Sequence, residues 1–236
     1  MKSTTRKQLK TDKFAEDIGL TLGFLGEHRA ETIRYGLIAL AVIVLGVGYI
    51  VYSRHEASVR EEALSQAMRI DQAIIAPNPT PTNLNFLTQA EKDKARTQAF
   101  ADLATKYHGT AEGAFGGIFI GAEKADHGDL PAAEKIYKDV MDSAPTEYSA
   151  LARLSLAHIY ASEGKPADGE KLLRYLMDHP TGLVSKEQAT LELADVLSKT
   201  NCTEALKLIE PLKVSRTSVS KVALNEASRI SSTCKA

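Results

Sequence analysis

The sequence predicts an all-α protein, with a single N-terminal transmembrane helix followed by a solenoid of helical pairs. Three observations predict it. Tyr35–Tyr52 (YGLIALAVIVLGVGYIVY) is a run of eighteen uncharged residues, closed by Arg34 on one side and Ser53-Arg54 on the other. From Phe86 onward, turn-forming residues cut the chain into segments of ordinary helix length. The segment Ala114–Asp142 falls on Ala150–Asp178 when shifted by 36 residues.

The apolar run is long enough to cross a bilayer. At ~1.5 Å per residue it spans about 27 Å, close to the roughly 30 Å hydrocarbon core. Only a helix or a closed barrel satisfies its own backbone groups in lipid, so one isolated run predicts a helix. Tyr35, Tyr49 and Tyr52 lie near its ends, where amphipathic rings favour the headgroup layer, and Arg34 and Arg54 are placed to snorkel. The alternatives are a buried helix of a soluble protein and a cleaved signal peptide. Nothing else in the chain is apolar enough to surround such a helix. Thirty-four residues precede the run and no A-x-A-like pattern follows it, so an uncleaved anchor is expected.

Residues 1–34 read as a mixed-charge tail with seven basic and five acidic residues. Phe14, Ile18, Leu22 and Leu25 recur at helical spacing, which fits a short amphipathic helix. Gly19, Gly23 and Gly26 each cost such a helix about 1 kcal/mol, leaving partial order as the alternative. Long domains translocate largely regardless of charge, so the short basic tail is expected in the cytoplasm and the remainder outside it. Residues 53–85 are expected to hold a helix continuing from the anchor, with Leu64, Met68 and Ile75 on its apolar side, and then a linker. Pro77, Pro79 and Pro81 exclude helix there.

Residues 86–236 form the expected repeat domain. Breakers fall at His108-Gly109, Gly128-Asp129, Ala144-Pro145, Gly164-Lys165-Pro166, His179-Pro180-Thr181-Gly182 and Thr200-Asn201. Within the 36-residue shift, Gly128 meets Gly164, Glu134-Lys135 meets Glu170-Lys171, and Met141-Asp142 meets Met177-Asp178. At a shift of 37, Ala152, Leu154, Leu156 and Ala157 meet Ala189, Leu191, Leu193 and Ala194. A fixed period in the thirties with two helices per unit predicts a helical solenoid. Val214–Ala236 is expected as a terminal helix, capping the last repeat with Val219, Val222 and Ile230. That would bring Cys234 toward Cys202. These are the only two cysteines, and bridging them would close a loop worth about 3–4 kcal/mol in the chain-entropy model. Two buried free thiols are the other reading.

The chemistry of the chain points to binding. The net charge is −1 and no basic stripe marks a nucleic-acid site. The six histidines are scattered, and no H-E-x-x-H or C-x-x-C is present. Gly116-Gly117 and Gly121 lie in an apolar helical pattern without a phosphate-loop lysine, which favours close helix packing. No catalytic residue, cofactor, metal site or small-molecule substrate is expected. First helices of successive repeats line the inner face of a solenoid. Here that face is expected to carry Phe115, Ile118, Leu151, Leu154, His158 and Leu191, with Asp195 at its edge, as a moderately apolar protein-binding groove. Core packing is the competing assignment for each of them.

The repeats resemble the tetratricopeptide repeat. The first copy supplies Ile120-Gly121, Ala133, Tyr137 and Pro145, and the second supplies Leu156-Ala157, Tyr160, Gly169, Leu173 and Pro180. The third supplies Leu193-Ala194, Leu197, Ala205 and Ile209. The chain departs from that motif in lacking Trp, in Lys124 where an aromatic is usual, and in its longer period.

From about residue 30 to 210 the arrangement is similar to the YfgM-like ancillary subunits of the Sec translocon. The likeness includes HEASVREEALSQAMRIDQA after the anchor and GAFGGIFIGAEKADHGDLPAAEKIY in the first copy. It implies an inner-membrane protein with its repeats in the periplasm. It also implies a non-enzymatic role beside the Sec channel, working with a membrane-anchored periplasmic chaperone on newly exported chains. A tetratricopeptide adaptor of another envelope complex is the alternative.

Overall fold

A computed structural model describes residues 29–76, 84–214 and 220–234. Among them are nine helices and one two-residue strand pair. The helices are α1 (Arg29–Asp71), α2 (Gln89–Lys106), α3 (Ala111–Asp126), α4 (Leu130–Ser143) and α5 (Thr146–Ser162). They continue with α6 (Pro166–Asp178), α7 (Lys186–Ser198), α8 (Cys202–Val214) and α9 (Lys221–Thr233). The fold is all-α, as expected. The tail residues Phe14, Ile18, Leu22 and Leu25, the prolines at 77, 79 and 81, and Val219 lie outside the described residues.

The chain divides into two compact units, Met1–Ser58 and Val59–Ala236. In the first, α1 carries the apolar run. It contains a window of mean hydropathy 2.3 with none of its residues buried, so it is long and apolar enough to cross a membrane. A core helix of a soluble protein would be mostly covered.

The second unit is a ladder of helices, each packed on the next. Side-chain caps set the helix starts. Thr88, Thr110, Asp129, Ser185 and Ser220 each accept a hydrogen bond from the backbone N–H three residues on. The matched glycines Gly128 and Gly164 both sit at positive φ, 78° and 74°, and turn the chain after α3 and α5. Small residues then let paired helices approach. A Cβ on Gly121 would stand 2.7 Å from the Tyr137 ring, and one on Gly169 would stand 2.9 Å from the Ala157 carbonyl oxygen. Ala133, Leu173, Ala205 and Ile209 are fully buried and Tyr137 nearly so, in the places the repeat pattern assigns them.

Three differences from the sequence reading stand out. The helix after the anchor stops at Asp71, and Ile75 lies on a short strand instead. Ile74–Ile75 pairs in parallel with Asn85–Phe86, in the register Ile74 to Asn85. Secondly, Ala63, Leu64, Ala67 and Met68 of the post-anchor helix, expected outside the repeat domain of residues 86–236, share in its packing. They pack with Phe100 and Leu103 of α2 as the first core cluster of the second unit. Thirdly, Val222 is 78% exposed. The inward face of α9 is Ala223, Ala227, Ile230 and Cys234, and Val222 lies one step of about 100° off that stripe.

The loop before α7 explains the change of shift from 36 to 37. Residues 179–185 replace the two-residue link found between α4 and α5. Val184 is fully buried there, and the Leu183 N–H donates to the Glu147 carboxylate at 3.0 Å.

Candidate functional site

The expected binding face belongs to α3, α5 and α7, and the structure divides its residues into two sets. Leu154 and Leu191 are core, at 5% and 9% exposure, in one cluster with Ala150, Val184 and Leu193. They are corrections to the expected groove. When first helices pack side by side, residues at the seam are buried and only those on the crest remain open. Phe115 is half-buried against the first cluster, its ring 6.0 Å from that of Phe100. Ile118 and Leu151 are half-buried on the second and third clusters. These three present apolar edges to solvent.

The open part of the face is charged. His158 on α5 is exposed and lies 3.0 Å from Glu192 on α7. This hydrogen bond, helped by the charges of Glu192 and Asp195, raises the His158 pKa above the ordinary 6.5. Asp195 accepts from Arg229 of α9 at 2.5 Å, and Arg229 also holds Glu226. The bonds to Glu226 and Asp195 raise the arginine's pKa further and keep it charged. A cleft of about 420 Å³ opens between α7 and α9 beside this ladder. Glu187, Gln188, Leu191, Glu192, Val222 and Glu226 line it.

Glu192, Glu226 and Arg229 escaped the sequence reading. The signal for Glu192 was its separation from His158, close to one repeat. Arg229 and Glu226 lie on one face of the cap helix, but their partner Asp195 is 34 residues away, and pattern alone does not pair them.

At the far edge of the same region, Cys202 opens α8 and Cys234 closes α9. Their Cα atoms are 5.3 Å apart and the sulfurs are joined as a disulfide.

Residues 31–185, about two thirds of the chain, match the family of tetratricopeptide repeat-like domains. The chain belongs to that family. No curated protein and no solved structure matches it. The tetratricopeptide-like match begins inside α1 and ends just before α7, so the apolar helix and the first two copies lie within it. The third copy, the cap helix and both cysteines lie beyond it. In the tetratricopeptide-like frame the buried small residues are pairing contacts between helices.

Proposed function

We propose that this chain is a non-enzymatic, membrane-anchored protein-binding scaffold that serves newly exported polypeptides at the Sec translocon. The observation that carries this reading is that one family match covers both the membrane-length helix and the first two repeats. The helix holds the solenoid at a membrane, where local concentration lets modest affinity count. The half-buried apolar edges of Phe115, Ile118 and Leu151, together with the exposed His158–Glu192 and Asp195–Arg229 links, suit a segment with both apolar and charged side chains.

The basic tail favours the cytoplasm for the N-terminus and the periplasm for the repeats. The Cys202–Cys234 bridge fits an oxidising compartment. The likeness of the anchor, the charged helix after it and the first copy to ancillary translocon subunits supports the Sec channel and a membrane-anchored periplasmic chaperone as partners.

A photo-crosslinking residue at Leu151 or His158 in intact cells tests the proposal, with the captured proteins identified by mass spectrometry. Sec-channel subunits, exported chains or a periplasmic chaperone among them would support it. Capture of one other envelope complex, with no Sec component, would replace it with a dedicated adaptor role.

A further inference from the structure

We propose that the groove between α2 and α4 is a second docking site, which takes an arginine side chain from a protein partner with Asp139 as its counter-charge. The groove holds about 610 Å³, within the usual range for recognition pockets. Gly113 and Gly117 of α3 form its floor. Ala101 and Ala104 of α2 face Ile136 and Asp139 of α4 across it. Gly117 lies roughly 160° around α3 from Phe115, so this site is separate from the crest of the first helices.

The second copy shows what fits. Under the 36-residue shift Gly117 becomes Arg153, and Asp139 becomes Tyr175. There the Arg153 guanidinium lies 4.1 Å over the Tyr175 ring, which stacks in turn on His179 at 4.2 Å. The second copy thus carries its own arginine at this place. In the first copy Gly117 carries no side chain, the Val140 Cγ2 methyl stands 2.6 Å from where its Cβ would be, the groove opens beyond that methyl, and a carboxylate stands where the ring would be.

Asp139 is 61% exposed at the rim, and its carboxylate's one side-chain hydrogen-bond partner among the described residues is His108 at 3.0 Å. A planar, weakly hydrated guanidinium can lie along the apolar walls and still reach a carboxylate with two N–H groups, which an ammonium cannot. Lys135 on the rim does not exclude it. The lysine is exposed, and its long stem lets the ammonium stay in water away from the apolar walls.

The test uses the full chain in detergent micelles, labelled with ¹⁵N only at its 15 glycines. N-acetyl-arginine amide is titrated in, with the lysine and norleucine amides in parallel. The expected result is saturable movement of the Gly113 and Gly117 signals with arginine, while Gly128 and Gly164 stay still. Asp139→Asn, a surface change that leaves the helical circular dichroism intact, should weaken arginine binding at least about threefold. No saturable movement, equal movement with norleucine, or an unchanged affinity in Asp139→Asn would each overturn the proposal.

Discussion

Gly116→Ala tests the claim that α2 and α3 are held together by close approach at one glycine. A Cβ on Gly116 would stand 2.6 Å from the Phe100 carbonyl oxygen, 2.9 Å from the Ala104 nitrogen and 3.0 Å from the Leu103 Cβ. Two of these are backbone atoms that no rotamer change can move, so the helices must separate by a large part of an ångström. That opens the interface where the Phe100 and Phe119 rings stack at 3.8 Å. A gap of ~0.5–1 Å forfeits a quarter to a half of each dispersion contact. Overpacking of this kind costs about 3 kcal/mol at its upper end, and alanine returns about 1 kcal/mol of helix propensity. The net loss is then about 2 kcal/mol, or roughly 4–8 °C in Tm for a unit of this size. Gly117→Ala is the control. Its Cβ meets only the Val140 Cγ2 methyl, at 2.6 Å, with no backbone atom of a neighbouring helix within 4 Å. The two variants share the propensity gain, so their difference isolates backbone packing. Thermal melting of the full chain in micelles, followed at 222 nm, is the assay. A Gly116→Ala protein as stable as Gly117→Ala would refute the reasoning.

Further outcomes follow from the same geometry. Replacing Cys202 and Cys234 with serine removes a closure across 32 residues, worth about 3–4 kcal/mol by chain entropy. Hydrogen exchange in α9 should rise by up to several hundredfold while α3 and α4 are unchanged, and uniform exchange would contradict the role of α9 as a pinned cap. The His158–Glu192 link should stabilise the fold below about pH 6.5, because a raised histidine pKa favours the folded state only while the imidazole is protonated. That contribution fades as pH rises through the elevated folded-state value. Urea midpoints of the native chain and His158→Gln at pH 6 and pH 8 should differ more at pH 6, by a few tenths of a kcal/mol for so exposed a pair. Leu173→Ala should cost about 2–5 kcal/mol in the same assay, as a fully buried leucine with no space to collapse into.

The architecture was legible because its signals are local or periodic. Gly128 and Gly164 mark one turn twice, and each breaker pair in the sequence bounds a helix seen in the structure. The small-against-large pairs, such as Gly121 with Tyr137, were legible because they recur at the repeat interval. The binding face was less so. Leu154 shares a face of α5 with His158, Leu191 is the counterpart of Leu154 on α7, and the sequence places all three on the inner side. Whether such a residue is crest or seam depends on how closely α5 and α7 pack, which Val184 and its loop help to set. The segment around Ala67 misled for a related reason. Its apolar side was visible, but the partner that buries it, Phe100, lies beyond a proline-rich stretch that reads as a boundary.

The polar links also bear on how the solenoid ends. A stack of repeats needs a terminal element that buries one face and presents polar groups on the other. Here α9 buries Ala227 and Ile230, turns Arg229 outward to Asp195, and is tied covalently to the start of α8. The third copy adds a further link between neighbouring second helices, from Arg174 of α6 to Glu204 of α8. Exposed ion pairs of this kind contribute little energy each, so their effect is on registry more than on stability. Arg174–Glu204 joins two second helices and Arg229–Asp195 joins α7 to the cap, while His158–Glu192 joins the first helices α5 and α7. A change at Arg229 or Arg174 should therefore alter Tm little. A change at Ala227 or Ile230, which fill the core, should lower it clearly.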